Sequence, residues 1–152
     1  MSGYSWDAAY YDRHASAQRQ WAAELVDKLG LRPAERVLDL GCGDGKVTAE
    51  MARRVPAGGA IGVDLSSVMV AHASSVYADA EFANLGFARA DARALPFRDA
   101  FEAVFSNAVL HWVRDHRAVL GGIHRSLRRG GRLLLQMEDM LIKRIAASPS
   151  YP

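Results

Sequence analysis

The sequence has little of what marks secreted or membrane proteins. Its 152 residues contain a single cysteine, Cys42, so no disulfide can form within the chain and a reducing compartment is expected. The hydrophobic residues fall in short runs, none of which approaches the length of a membrane span. The N-terminus has no apolar core of signal-peptide length. We therefore expect a cytoplasmic protein that does not associate with membranes.

Charge of one sign is not concentrated anywhere in the sequence. Nineteen Lys and Arg stand against 17 Asp and Glu, and basic pairs such as Arg53-Arg54 are expected to lie at solvated helix ends. Nucleic acid is therefore not expected as a partner. The five histidines lack the spacing of metal ligands, so no metal site is expected.

Short apolar runs alternate with segments of helical pattern along the chain. Strands are predicted at residues 36–40, 60–64, 86–90, 103–106 and 131–137, and helices at 5–29, 46–55, 66 or 67 to about 77, and about 113–128. Near-continuous apolar strands joined by helices predict a parallel sheet covered on both faces. Right-handed crossovers then bring the carboxyl ends of all strands to one edge, where ligands bind.

The stretch VLDLGCGDGK, residues 37–46, joins the first predicted strand to a glycine-rich loop. Such a loop, followed about 20 residues later by an acid such as Asp64, is typical of a ribose-bearing ligand. However, Asp39 and Asp44 flank the loop, and a pyrophosphate bound there would meet carboxylates at a cost of several kcal/mol. An ammonium-bearing ligand would be attracted instead, and S-adenosylmethionine carries an ammonium and a sulfonium but no phosphate.

Five ordered motifs resemble those of the class I S-adenosylmethionine-dependent methyltransferases: VLDLGCGDGK, IGVDLSSVM, ADARALPF, FEAVFSNAVLHWV and LRRGGRLLLQM. They span most of the chain and place a methyltransferase domain at residues 1–137, with a divergent tail at 138–152. SNAVLHWV and the N-terminal WDAAYYDRHASAQRQW are most similar to the small-molecule branch typified by trans-aconitate methyltransferases. The resemblance implies a Rossmann-like α/β fold with strand order 3-2-1-4-5. It also implies methyl transfer from S-adenosylmethionine to a small carboxylic acid or similar metabolite by in-line displacement.

The same resemblance implies a set of cofactor-binding residues. The methionine part would lie near Asp39, Gly41, Cys42, Gly43 and Asn107, the ribose on Asp64, and the adenine among Leu65, Met69, Asp91 and Ala92, while Tyr11 would close the pocket. Cys42 is interpreted as a small filler rather than a nucleophile because no base stands beside it in the sequence. Tyr11 could instead be a packing residue, and Asp91 could merely cap a turn.

Three further residues are implied near the methyl acceptor: Gln18, His111 and Trp112. Trp112 is expected to wall the pocket, and Gln18 to bind a carboxylate of the acceptor. His111 could pack against its neighbours or act as a general base, since imidazole titrates near neutral pH. A carboxylate acceptor would need no such base.

The end of the sequence departs from the family pattern. Family members continue after the fifth strand, whereas this sequence ends in QMEDMLIKRIAASPSYP. We therefore expect a sheet that lacks the last two of the usual seven strands, with an open edge that a second copy of the chain could cover. The alternative to an active enzyme is a remnant or regulatory module that binds S-adenosylmethionine without catalysing transfer.

Overall fold

The computed structural model describes residues 16, 17, 20, 23–107 and 109–136, with position 111 described by its backbone alone. The predicted start of the first helix and the tail at 138–152 lie outside these residues. In the described part of the chain, no helix is long and apolar enough to cross a membrane.

Helices and parallel strands alternate along the described chain. In order they are α1 (residues 23–29), β1 (Arg36–Leu40), α2 (Lys46–Arg54), β2 (Gly59–Asp64), α3 (Ser67–Val76), β3 (Leu85–Arg89), β4 (Phe101–Asn107), α4 (His116–Ser126) and β5 (Leu127–Gln136). Short 3₁₀ turns lie at Ala80–Phe82 and Leu110–Trp112. All neighbouring strands pair in parallel in the order β3-β2-β1-β4-β5. The predicted α/β fold and strand order are therefore confirmed.

The central strand β1 is buried on both faces of the sheet. On one face, Val37 lies in a cluster with residues of α1 and α2, among them Val26 and Met51. On the other face, Leu38 and Leu40 pack in a cluster that includes residues of α4. This explains why β1 reads as an almost unbroken apolar run, with Asp39 as its one acid.

The helix after the fourth strand starts later than predicted. The sequence pattern placed its first residue near position 113, but α4 begins at His116. Residues Leu110–Trp112 form a separate 3₁₀ turn, and the Asp115 side chain then accepts a hydrogen bond from the Ala118 N–H at 3.0 Å. Because this N-cap defines the first turn, the apolar residues before it do not belong to the helix.

The fifth strand starts earlier than predicted and contains an irregularity. β5 begins at Leu127, whereas the Arg-Gly-Gly segment suggested a turn with the strand starting at position 131. Pairing with β4 jumps from Phe101↔Leu127 to Ala103↔Arg132, so the intervening residues bulge out of the ladder. The glycines therefore form a bulge inside the strand rather than a turn before it.

Candidate functional site

A cleft of about 680 Å³ opens at the carboxyl ends of the four strands β1 to β4. Its position is the one expected for ligands of a parallel sheet, next to the point where the strand order reverses. Seven of the residues singled out from the sequence line it: Gly41, Asp64, Leu65, Asp91, Ala92, Asn107 and Trp112. The fold thus brings side chains from four separate sequence motifs to one cavity of ligand size.

Other residues predicted for the site do not line this cleft. Asp39, Cys42 and Gly43 lie in or behind the glycine loop, and Met69 lies on α3, where its Cε would be 3.7 Å from a Cβ placed on Gly43. Tyr11 and Gln18 lie outside the described residues, as does the side chain of His111. The assignments of all these residues stay predictions.

The glycine loop is held against β2 by its own backbone. The N–H groups of Gly41 and Cys42 both donate to the Val63 carbonyl oxygen, at 2.8 and 3.0 Å. Gly41 has a φ of 78°, and a Cβ at this position would overlap the Val109 side chain, which packs directly against Gly41. Only glycine therefore allows the loop to turn here and the Val109 side chain to approach so closely.

Asp64 fixes the loop and faces the cleft at the same time. Its Oδ2 accepts a hydrogen bond from the Gly43 N–H at 3.0 Å, and its Oδ1 accepts one from the Ser66 N–H at 2.9 Å. Each carboxylate oxygen can accept a second hydrogen bond. Asp64 can therefore bind a ligand's hydroxyl groups without releasing the loop.

Asp39 lies behind the loop, with 3% of its surface exposed. Its Oδ2 accepts a hydrogen bond from the Thr48 hydroxyl at 2.7 Å, which ties β1 to α2. Burial raises the pKa of Asp39 to about 7, with smaller increases from the charges of Asp64 and Asp44, while the Thr48 hydrogen bond opposes the shift. Asp39 therefore changes charge near neutral pH directly beneath the loop.

Cys42 is buried within the loop, with 8% of its surface exposed. Burial, together with the nearby charges of Asp39 and Asp64, raises the pKa of its thiol well above the usual range. A thiol that stays protonated is a poor nucleophile, which agrees with the interpretation of Cys42 as a small filler.

Asp91 is held by an arginine that sequence reasoning missed. The Arg93 guanidinium bridges both carboxylate oxygens, with Nε 3.0 Å from Oδ1 and Nη2 2.7 Å from Oδ2, and the Arg93 N–H donates to Oδ1 at 2.9 Å. These hydrogen bonds lower the pKa of Asp91 to about 2. Arg93 also lines the cleft, and the spacing Asp-x-Arg was the signal that could have identified it.

Asn107, at the end of β4, carries an unused acceptor. Its Oδ1 is buried and has no hydrogen-bond partner among the described residues, although the residue lines the cleft. Buried polar atoms without partners are rare and costly. An acceptor of this kind, next to the glycine loop, suits a ligand that carries an N–H donor.

Two large apolar side chains lie exposed at the cleft. Trp112 is 80% exposed and Leu65 is 59% exposed, and both line the cavity. The turn that carries Trp112 is fixed to α4 because His116 Nε2 donates to the Leu110 carbonyl oxygen at 2.9 Å. Among the described residues, no group of three or more His, Cys, Asp or Glu side chains could hold a metal ion.

Known proteins that are similar to this chain share both its motifs and its fold. The model of the methyltransferase domain family matches residues 37–131. The trans-aconitate 2-methyltransferase of Methylobacterium nodulans is 34% identical over 153 residues, which cover 96% of this chain and 57% of that protein. The chain thus spans little more than half the length of such curated relatives.

Solved structures agree with this similarity. The YcgJ protein from Bacillus subtilis superposes with a TM-score of 0.73 at 28% identity, over 84% of this chain and 56% of its own. An S-adenosylmethionine-dependent methyltransferase from Mesorhizobium loti superposes with a TM-score of 0.63 at 28% identity, over 79% of this chain and 54% of its own. Because the family model covers more than half of the chain and the fold agrees, the chain belongs to the class I S-adenosylmethionine-dependent methyltransferases.

Proposed function

We propose that this chain binds S-adenosylmethionine in the cleft and transfers its methyl group to a small carboxylic acid. The observation that carries the proposal is the cleft itself, in which the glycine loop, Asp64, Asp91 and Asn107 converge from the ends of four strands. The buried Asn107 Oδ1 without a partner fits the ammonium of the cofactor. Gly41 lines the cleft with its backbone, which suits a ligand that lies against the main chain there.

Each part of the cleft would hold one part of the cofactor. The loop at Gly41 and the Asn107 Oδ1 would bind the methionine part, and the free acceptor positions of Asp64 would take the ribose hydroxyls. Leu65 would pack on the adenine, and Asp91 would accept from its amino group. Because Arg93 already occupies Asp91, its guanidinium would have to share that carboxylate with the ligand.

Methyl transfer requires the protein mainly to align the acceptor with the methyl group of the cofactor. S-adenosylmethionine supplies a methyl group already activated by its sulfonium, so the protein need only hold the acceptor in line with it, which can contribute several kcal/mol. Trp112 lies at the cleft and would exclude water from the acceptor. A carboxylate acceptor needs no base, so His111 would be a substrate contact, with Gln18 binding a second carboxylate.

The acceptor class follows from the relatives. The curated relatives are named trans-aconitate 2-methyltransferases, so trans-aconitate and related small polycarboxylic acids are the first acceptors to test.

Cytoplasmic location is part of the proposal and is supported by the single, unpaired Cys42. A second copy of the chain is proposed to cover β5, which among the described strands pairs only with β4; sedimentation would test this.

The experiment has two stages. Calorimetry would first measure binding of S-adenosylmethionine and of its demethylated product to the chain, and transfer of a labelled methyl group to a panel of small carboxylic acids would then be followed. We expect micromolar binding and labelling of at least one acid. Binding without labelling of any acid would favour the regulatory alternative over an enzyme, and absence of binding would reject both.

A further inference from the structure

A second cleft, of about 480 Å³, lies at the opposite end of the sheet and is strongly basic. It is lined by Arg98 and Asp99 before β4, by His124 and Arg125 at the end of α4, and by residues 127–131 of the β5 bulge, including Arg128 and Arg129. β4 runs from this cleft to Asn107, a distance of roughly 20 Å for its seven residues. The basic cleft is therefore separate from the cleft that holds Asp64 and Asp91.

Three of its four arginines have no acidic partner. Arg128 pairs with Glu102 and also donates through Nε to the Asp99 carbonyl oxygen at 3.2 Å. Within the part of the chain that the structure describes, Arg98, Arg125 and Arg129 form no ion pair, and Asp99 is the one acid that lines the cleft. The cleft thus concentrates positive charge in a concave site, which raises the local potential for anions.

The end of α4 does not account for these cations. Basic residues often lie in a last helical turn because they interact with its free carbonyl groups. Here three of the last four carbonyls are already used: Ile123 O accepts from the N–H of Leu127, Arg125 O accepts from the N–H of Asp99 at 2.8 Å, and Ser126 O accepts from the N–H of Ala100 at 2.9 Å. The arginines are therefore not needed to complete the helix.

The backbone around the cleft is fixed in an unusual shape. Asp99 has a φ of 45°, a conformation that non-glycine residues rarely adopt, and the hydrogen bonds to α4 hold it there. The β5 bulge projects Arg129 and Gly130, with Gly130 at a φ of 78°. β-Bulges occur often next to functional sites, where they change the direction of side chains.

We propose that this basic cleft binds a diphosphate-bearing small ligand. Guanidinium groups bind phosphate oxygens in pairs, and a diphosphate offers enough oxygens for several arginines to converge on one ligand. The cleft volume is within the range of small-ligand sites, and its concave form favours a small molecule over a flat macromolecular surface.

A titration with inorganic pyrophosphate, monitored by calorimetry, tests the proposal. Wild type should bind one equivalent, and Arg125→Gln and Arg129→Gln should each weaken binding about tenfold, since each removes one charged hydrogen-bond donor. Both side chains are exposed, so the variants should fold like wild type. Arg117→Gln removes an equal charge from an exposed site at the other end of α4 and should leave binding unchanged.

Two further titrations identify the ligand and the location of the site. ADP binding with the same loss in the variants would identify a nucleotide as the source of the diphosphate, whereas binding of pyrophosphate alone would identify the free anion. Asp64→Asn should not affect the pyrophosphate titration, because Asp64 lies at the other cleft. Three outcomes would overturn the proposal: no saturable binding below about 1 mM, an equal loss in Arg117→Gln, or equally tight binding of citrate.

Discussion

Asp64→Asn separates the two tasks that the structure gives to this carboxylate. In wild type, the two oxygens accept from the N–H groups of Gly43 and Ser66 while lining the cofactor cleft. Asparagine retains one acceptor oxygen, so it keeps one of the two loop hydrogen bonds and loses the negative charge. Alanine would release both N–H groups and would confuse loss of the loop with loss of the ligand.

The expected magnitude follows from the hydrogen bonds involved. A ribose hydroxyl donating to a carboxylate is worth about 1.5 to 3 kcal/mol, and asparagine removes one of the two acceptor oxygens, so Asp64→Asn should weaken S-adenosylmethionine binding by roughly 10 to 10²-fold. Loss of one hydrogen bond from a loop N–H to this carboxylate should lower the free energy of unfolding by about 1.5 to 3 kcal/mol, which should lower the melting temperature by several degrees.

Calorimetry and thermal denaturation of the same preparations measure both quantities. Asp79→Asn is a matched control, because the Asp79 side chain is exposed and makes no capping hydrogen bond; we expect it to bind the cofactor like wild type. If Asp64→Asn binds S-adenosylmethionine within about threefold of wild type, Asp64 serves the loop alone and the ribose site is misplaced.

Three further predictions concern the loop and the core. Gly41→Ala should cost about 2 kcal/mol in urea denaturation because of overlap at a positive φ, whereas Gly86→Ala, with open space around it, should be close to neutral. Because the folded-state pKa of Asp39 is raised to about 7, the folded protein favours the protonated carboxyl, and the free energy of unfolding should decrease by at most about 4 kcal/mol as the pH rises from 4 to 7. Asp39→Asn should abolish this pH dependence of stability. An unchanged pH dependence in that variant would contradict the prediction. Arg132→Met should cost about 3 kcal/mol, because it removes the main partner of the buried Glu35 and leaves it only Arg32 among the described residues. Since the hydrogen bond from Arg132 is the main cause that lowers the pKa of Glu35 to about 2, wild type should lose this advantage as the pH falls from 4.5 to 2 in acid denaturation.

The sheet could be predicted because its strands carry their information locally. β1 matches its predicted bounds and β2 starts one residue earlier than predicted, since unbroken apolar runs mark strands buried on both faces. β3, a partly exposed edge strand, lies one residue earlier than predicted. The predicted bounds are wrong where tertiary contacts determine the residue at which an element begins. The start of α4 depends on the Asp115 cap and on the hydrogen bond from His116 to the turn before it, and neither has an apolar pattern.

The residues that make long-range contacts in the fold were harder to find than those that would touch a ligand. The salt bridge of Arg132 with Glu35, and its hydrogen bonds to the carbonyls of Leu29 and Gly30, join residues about a hundred positions apart, so no local pattern reveals them. Val109 was missed for the same reason, because its importance comes from its direct packing against Gly41, which has no Cβ.

The structure changes the physical reason why the glycine loop does not suit a diphosphate. From the sequence alone, the expected obstacle to diphosphate binding was the negative charge of Asp39 and Asp44. In the structure, Asp39 is buried with a pKa of about 7, and Asp44 is paired with Lys46 at 3.4 Å. The stronger obstacle is Asp64, whose Oδ2 occupies the Gly43 N–H at 3.0 Å, one of the loop donors that would otherwise face a phosphate. Since the free arginines lie at the other end of the sheet, we expect any diphosphate to bind there and the ammonium-bearing cofactor to bind at the loop.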